Sequence, residues 1–137
     1  MNGLTFEQSP VLRDWLCQRL EIPRLQQDSK TIAVIDESRI LAVVAYSAFN
    51  GHDCQISVAG EGHWLSRYTI PVFFKYPFNQ LGCRRMTAFC RDSNDRVQRF
   101  AVKFGFKREG ILRSYFEDGA DCHIFGLLRE DCRFLGE

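Results

Sequence analysis

With 137 residues, 45% of them apolar, and a formal net charge of +1, the chain has the size of one domain that can bury its own core. The near-neutral charge excludes a global field that would draw nucleic acid or a membrane surface, and no apolar run approaches the roughly 20 residues that span a bilayer. Six cysteines, at 17, 54, 83, 90, 122 and 132, form no C-x-x-C pair and follow no signal peptide, so they read as reduced, mostly buried thiols of a cytoplasmic protein.

In chain order, Pro10 and the run VLRDWLCQRL predict a short helix with proline in its first turn. Val11, Trp15, Leu16 and Leu20 fall toward one face, and Pro23 ends it. Three strands follow, at 31–36, 39–49 and 53–59, joined by the turns Asp36-Glu37-Ser38-Arg39 and Asn50-Gly51. The second is continuously apolar, as a central strand would be. From Trp64 the spacing Leu65, Tyr68, Val72, Tyr76 turns helical, with Pro71 and Pro77 predicting a kink or a short helix. Residues 83–91 read as a strand. Val97, Phe100, Ala101 and Phe104 then mark one face of a helix, and strands at 107–116 and 122–129 close the chain around the turn Glu117-Asp118-Gly119-Ala120. The order α, β-β-β, α, β, α, β-β predicts a mixed, mostly antiparallel α/β sheet flanked by helices, with a β-α-β crossover making two strands parallel. Residues 1–137 read as a single domain.

Two short clusters invite a metal. Cys122-His123 with Cys132, and His52 with Cys54, both lack the paired spacing of a structural zinc site, and no metal is expected.

The segment SNDRVQRFAVKFGFKREGILR, residues 93–113, is the most informative. A helix closing at Gly-Phe is common by itself: glycine takes the left-handed turn and the next apolar residue packs back. The constellation is more specific. Asn94 precedes Gly105-Phe106, Glu109-Gly110 and Arg113 follow, and Gly119 and Asp121 lead into an apolar strand. Upstream stand Phe78, Leu81-Gly82 and Arg84 or Arg85. This set, over roughly 78–131, resembles the GCN5-related N-acetyltransferase (GNAT) family, and looks closest to its Rim type, which acetylates ribosomal-protein N-termini.

The resemblance implies an acyl-CoA N-acyltransferase fold with a shortened N-terminus, its first strand missing or reduced to residues 4–6. It implies acetyl-CoA as co-substrate, lying where the parallel strands at 52–60 and 83–91 splay apart. Ser57, Val58 and Ala59 would pair with the pantetheine amides as an added strand does. A helix start at 63–67, with Trp64, Ser66 and Arg67, would face the pyrophosphate. Asn94 would contact the pantetheine arm, and Arg96 and Arg99 the phosphates. The acetyl group would pass directly, in a ternary complex, to an amine-bearing acceptor, either a small molecule or a protein N-terminus. Glu61, at the end of the third strand, is the candidate base, and His63 its rival. The plainer account of Glu61 is a solvated turn residue. The short N-terminus implies an open acceptor groove, which a homodimer would complete.

Two positions depart from the family pattern. Its phosphate loop, Q/R-x-x-G-x-G/A, puts Trp64 where glycine would let backbone approach phosphate. Two readings follow: phosphate is held differently, with Arg67 or His63 supplying charge and Trp64 covering the cofactor, or the domain is a catalytically degenerate binding or interaction module. Ala101 stands where many members carry the tyrosine that protonates the leaving thiolate, leaving Tyr115 and Cys90 as stand-ins. The stretch 84–113 carries nine Lys or Arg against three acids. A solvated helix face is the plain account of it, and nucleic acid the outside one.

Overall fold

The computed structural model describes residues 2–136. One seven-stranded sheet runs through the chain in the order β1-β2-β3-β4-β5-β7-β6. Its strands are β1 (Asn2–Thr5), β2 (Lys30–Asp36), β3 (Arg39–Ser47), β4 (Asp53–Gly60), β5 (Arg85–Arg91), β6 (Lys107–Leu112) and β7 (Cys122–Leu128). Helices α1 (Pro10–Leu20), α2 (Ile70–Lys75) and α3 (Asp95–Lys103) lie on its two faces. Neighbouring strands are antiparallel except β4 and β5, which are parallel. A parallel pair needs a crossover, and the segment that carries α2 supplies it.

Side chains alternate across each strand and so build two cores. Val34, Val44, Tyr46, Cys54, Met86 and Leu127 pack with Phe73, Phe78 and Phe104 on the α2/α3 face. Ala33, Val43 and Ala45 pack with Leu12, Leu16 and Cys17 on the α1 face. No helix among the described residues is long and apolar enough to cross a membrane.

The sequence-predicted elements shift in four places. β1 occupies Asn2–Thr5 and pairs with β2, so the first strand is present and ends before Phe6. Helix α1 has the expected span and most of the expected face, with Leu16 buried and Trp15 and Leu20 packed beside it, but Val11 is 66% exposed and Leu12 and Cys17 are buried instead. The Ser9 hydroxyl accepts from the Val11 amide as N-cap, which fixes Val11 in the first turn beside the solvent, while Leu12 and Leu16 share the inner face.

Helix α2 begins at Ile70, not at Trp64. Ser66 and Thr69 fold the preceding residues into a turn, the Ser66 hydroxyl accepting from the Tyr68 and Thr69 amides at 3.1 Å. Pro71 then sits in the first helical turn, where its missing N–H costs nothing. The helix widens into a π-turn at Tyr76–Gln80, around Pro77. Finally, β6 stops at Leu112 rather than 116. Ser114 turns left-handed (φ 51°), its amide donating to Asp121 Oδ1 at 2.9 Å, and the Tyr115 and Phe116 amides both donate to the Ala120 carbonyl.

Gly105 takes the left-handed turn expected at the end of α3. It has φ 103° and follows the last residue of the α3 end. Its amide donates to the Val102 carbonyl at 3.0 Å, and the Phe106 amide to the Ala101 carbonyl at 3.0 Å. These two bonds are the Schellman pattern, and Phe106 is buried beneath the helix.

Candidate active site

The parallel pair β4–β5 has two unlike ends. Pairing runs from Asp53 with Arg85 to Ile56 with Ala88, and stops there. β4 continues through Ser57, Val58, Ala59 and Gly60, held on its other side by β3. β5 continues through Phe89, Cys90 and Arg91, held by β7. A wedge-shaped opening therefore begins beyond Ile56 and Ala88, with β4 presenting unpaired backbone to it.

The paired end is tied by side chains. Thr87 Oγ1 donates to Asp53 Oδ1 at 2.9 Å, and Arg85 Nε to Thr87 Oγ1 at 3.0 Å. Arg85 Nη2 also meets Glu109 Oε1 at 2.9 Å. The Glu109 hydrogen bond holds the Arg85 guanidinium above its ordinary pKa. Gly126 on β7 leaves room for this pair, since a Cβ there would fall on both groups. Glu109 of the E-G motif thus joins β6 to β5 across β7.

The sequence-predicted residues distribute around the opening. Ser57, Val58 and Ala59 form its β4 edge, with Val58 toward α2/α3 and Ala59 toward α1. Glu61 follows on the α1 side. Its Oε2 accepts from Arg19 Nε at 2.8 Å, and the Arg19 guanidinium lies over the Trp15 ring at 3.6 Å. The His63 ring is exposed, and its carbonyl accepts from Asn2 Nδ2 at 2.8 Å. The Ser66 hydroxyl is engaged within its own turn, and Arg67 Nη2 donates to the Tyr68 hydroxyl at 2.8 Å. Because α2 starts at Ile70, none of Trp64, Ser66 and Arg67 stands at a helix N-terminus, which corrects the expected geometry of the phosphate loop. Asn94 is the N-cap of α3, its Oδ1 accepting from the Val97 amide, with Arg96 and Arg99 exposed in the first turns.

Trp64 is placed unlike the others. It is 9% exposed and reaches from the loop after β4 to both helices. Its ring stacks on Phe100 of α3 at 6.0 Å and tilts against Phe73 of α2 at 5.8 Å. It lies directly over Gly60, where a Cβ would collide with the indole. On β5, Cys90 is buried on the same face, and burial pushes its thiol up to about 11, so it stays protonated at neutral pH. Tyr115 sits apart, on the α1 side: it is 50% exposed and stacks on Phe89 at 5.8 Å.

Sequence reasoning missed Arg19, Gly60, Phe73 and Phe100. Only the spacing of the aromatic residues on α3 hinted at the last. A cavity of about 560 Å³ lined by Arg84, Arg85, Leu128, Arg129 and Glu130 lies at the paired end, away from the opening.

This arrangement matches known structures closely. A variant of the spermidine N-acetyltransferase SpeG from Vibrio cholerae superposes with a TM-score of 0.78 at 15% identity, over 98% of this chain and 96% of that one. The chain has the fold of the GCN5-related N-acetyltransferases. Structures of Rim-type proteins share this fold. Ribosomal-protein-S5-alanine acetyltransferase from Vibrio fischeri matches with a TM-score of 0.63 at 20% identity, over 77% of this chain and 64% of that one. RimJ from Mycobacterium smegmatis, solved with CoA-disulfide, matches at 0.62 and 16% identity, over 74% and 54%. In sequence, the uncharacterised N-acetyltransferase YoaA of Bacillus subtilis is 30% identical over 73 residues, 49% of this chain and 41% of that protein. The chain thus spans about two-fifths of that relative's length. No family model matches the chain. The sequence relative, SpeG and the ribosomal-protein-S5-alanine enzyme are all acetyltransferases.

An acyl-CoA fits half of this frame. The unpaired β4 backbone is suited to amides that add as a strand does. On the α2/α3 side, by contrast, the Trp64 indole covers Gly60 at the end of that edge.

Proposed function

We propose that the chain is an acetyl-CoA-dependent N-acetyltransferase that moves an acetyl group directly to a primary amine in a ternary complex. The observation that carries this reading is the end of β4–β5 pairing at Ile56 and Ala88, with β4 running on for four more residues held by β3 alone. Bound acetyl-CoA would supply a thioester, an acyl group already activated toward amines. Ser57, Val58 and Ala59 would orient it through backbone hydrogen bonds. Asn94, Arg96 and Arg99 would border its polar parts, and Trp64, Ser66 and Arg67 would line its path.

An amine attacks only when neutral, so its proton must leave. Glu61 is the proposed base, acting through water from the α1 side, where Arg19 fixes its carboxylate. His63 in the same loop is the alternative base. Tyr115, on the hairpin between β6 and β7, is the proposed proton donor to the leaving group or contact for the acceptor. The acceptor, a small molecule or a protein N-terminus, would approach the α1 face, where residues 21–29 form no second helix and a second copy of the chain would complete the groove. Six free cysteines support a reducing, cytoplasmic setting.

Titration of acetyl-CoA by calorimetry, followed by a panel of amines with thiol release as readout, tests the reading. Binding at micromolar strength with turnover of one amine class supports it, and Glu61→Gln should then lower kcat by roughly 10²–10⁴-fold. A second reading, a binding module without catalysis, is favoured by the buried Trp64. Cofactor binding with no thiol release from any amine would select that reading.

A further inference from the structure

We propose that Trp64 is a displaceable stopper of the acyl-CoA slot: its indole shuts the α2/α3 side of the β4–β5 opening and swings out when the cofactor enters. This rests on the acetyl-CoA reading above.

Four observations carry it. The indole lies over Gly60, the last residue of β4, and the absence of a side chain there is what admits it. Its ring contacts are to α2 and α3, through Phe73 and Phe100, so it joins both helices to the part of β4 that runs on beyond its pairing with β5. Among the described residues no hydrogen bond holds the indole Nε1–H, and no side-chain nitrogen is fully buried without a partner, so Nε1 reaches solvent and the ring leaves without breaking a protein hydrogen bond. Trp64 is carried on a segment that is neither helix nor strand between β4 and α2, with Gly62 at φ 67° two residues before it. A segment of this kind can change its backbone angles without dismantling an element.

The contacts that hold the indole are apolar and aromatic. They can be replaced by the apolar part of a pantetheine arm, whose amides would at the same time meet the unpaired β4 edge. A stopper of this kind lowers the apparent affinity by the fraction of molecules with the slot open. Anything that expels the indole without touching the β4 edge should therefore tighten binding.

Gly60→Ala adds only a methyl group at the last residue of that edge and leaves its backbone donors and acceptors in place. Gly60 does not have the left-handed φ that would strain alanine, yet its new Cβ would overlap the indole ring. The measurement uses the full chain carrying Trp15→Phe, so that Trp64 is the one tryptophan of the two left to report. Emission wavelength and acrylamide quenching are read without ligand and during titration with acetyl-CoA, and affinity is taken from calorimetry. Trp64→Leu, which empties the slot while keeping an apolar side chain, serves as the second variant.

The expected result has three parts. Acetyl-CoA shifts Trp64 emission to the red and raises its quenching, Gly60→Ala is already red-shifted without ligand, and both variants bind acetyl-CoA at least tenfold more tightly. Equal affinity in all three proteins with unchanged emission overturns the stopper and leaves the acetyl-CoA reading standing. Absence of binding in all three, with folded circular dichroism spectra, overturns both, because a slot relieved of its stopper then holds no cofactor.

Discussion

The two ends of the β4–β5 pair are built from the same two strands and held by opposite means. At one end the backbone ladder is complete from Asp53 to Ile56, and Asp53, Thr87, Arg85 and Glu109 form a continuous polar tie above it. At the other end the ladder is absent, and Trp64, packed over Gly60 at the end of β4, reaches Phe73 and Phe100 on the two helices. Ladder bonds and charge-assisted ties are directional, and a buried polar group left without its partner is costly. Ring contacts are non-directional and can be exchanged for those of another apolar body. The first end is therefore a hinge pin, and the second a position whose occupant can change.

The largest expected effect falls at the paired end. Met86 is fully buried there, and Met86→Ala should cost about 2–5 kcal/mol of folding stability in a urea titration. If Gly60→Ala costs as much, the two ends are equally rigid and the contrast fails. The expected cost of Gly60→Ala is about 1–3 kcal/mol, that of a moderately overpacked site.

Alkaline pH gives the next effect. In the fold, burial moves the Cys90 thiol from an ordinary 9.0 to about 11. A raised thiol pKa means that the folded state holds the proton more tightly. The contribution is thus complete below pH 9 and is lost as pH rises toward 11, a decline of about 2–3 kcal/mol. Thermal melts across that range should fall in the parent protein and fall less in Cys90→Ala. Gly60→Ala, which loosens the end where Cys90 lies, should move its titration back toward 9.

The α3 cap is smaller again. Asn94→Ala removes the acceptor for the Val97 amide and should cost about 1 kcal/mol. If Asn94 also contacts the pantetheine arm, acetyl-CoA affinity falls with it. Arg91 and Asp118 form an exposed pair at 2.8 Å, and Arg91→Ala should change stability by less than about 1 kcal/mol.

Which of these features the sequence announces depends on how local their causes are. The α3 terminus at Gly105-Phe106 was legible because a Schellman turn is specified by residues adjacent in the chain. So were the hairpin turns and the parallel crossover, which follow from element order. The start of α2 was not, because the apolar spacing from Trp64 onward is helical while hydrogen bonds between Ser66 and Thr69 turn the backbone another way. The face of α1 was misread at its first turn because Val11 and Leu12 compete for the same spacing, and only the sheet decides between them. The partners of the site residues were the least accessible. Arg19 and Glu61 are 42 residues apart, and the seat of Trp64 is made by a glycine before it and two phenylalanines on different helices. A tryptophan at a glycine position of the phosphate loop reads as a defect in the sequence. In the fold it is a buried residue that packs the end of β4 against two helices.

The most direct measurement is hydrogen–deuterium exchange of the intact chain with and without acetyl-CoA, read by peptide. Occupation of the opening predicts slower exchange across residues 57–60 of β4 and at the start of α3, with faster exchange in residues 61–69 as Trp64 leaves. Unchanged exchange at 57–60, or protection confined to the cavity beside Arg84 and Arg129, would contradict the assignment of the β4–β5 opening as the acyl-CoA site.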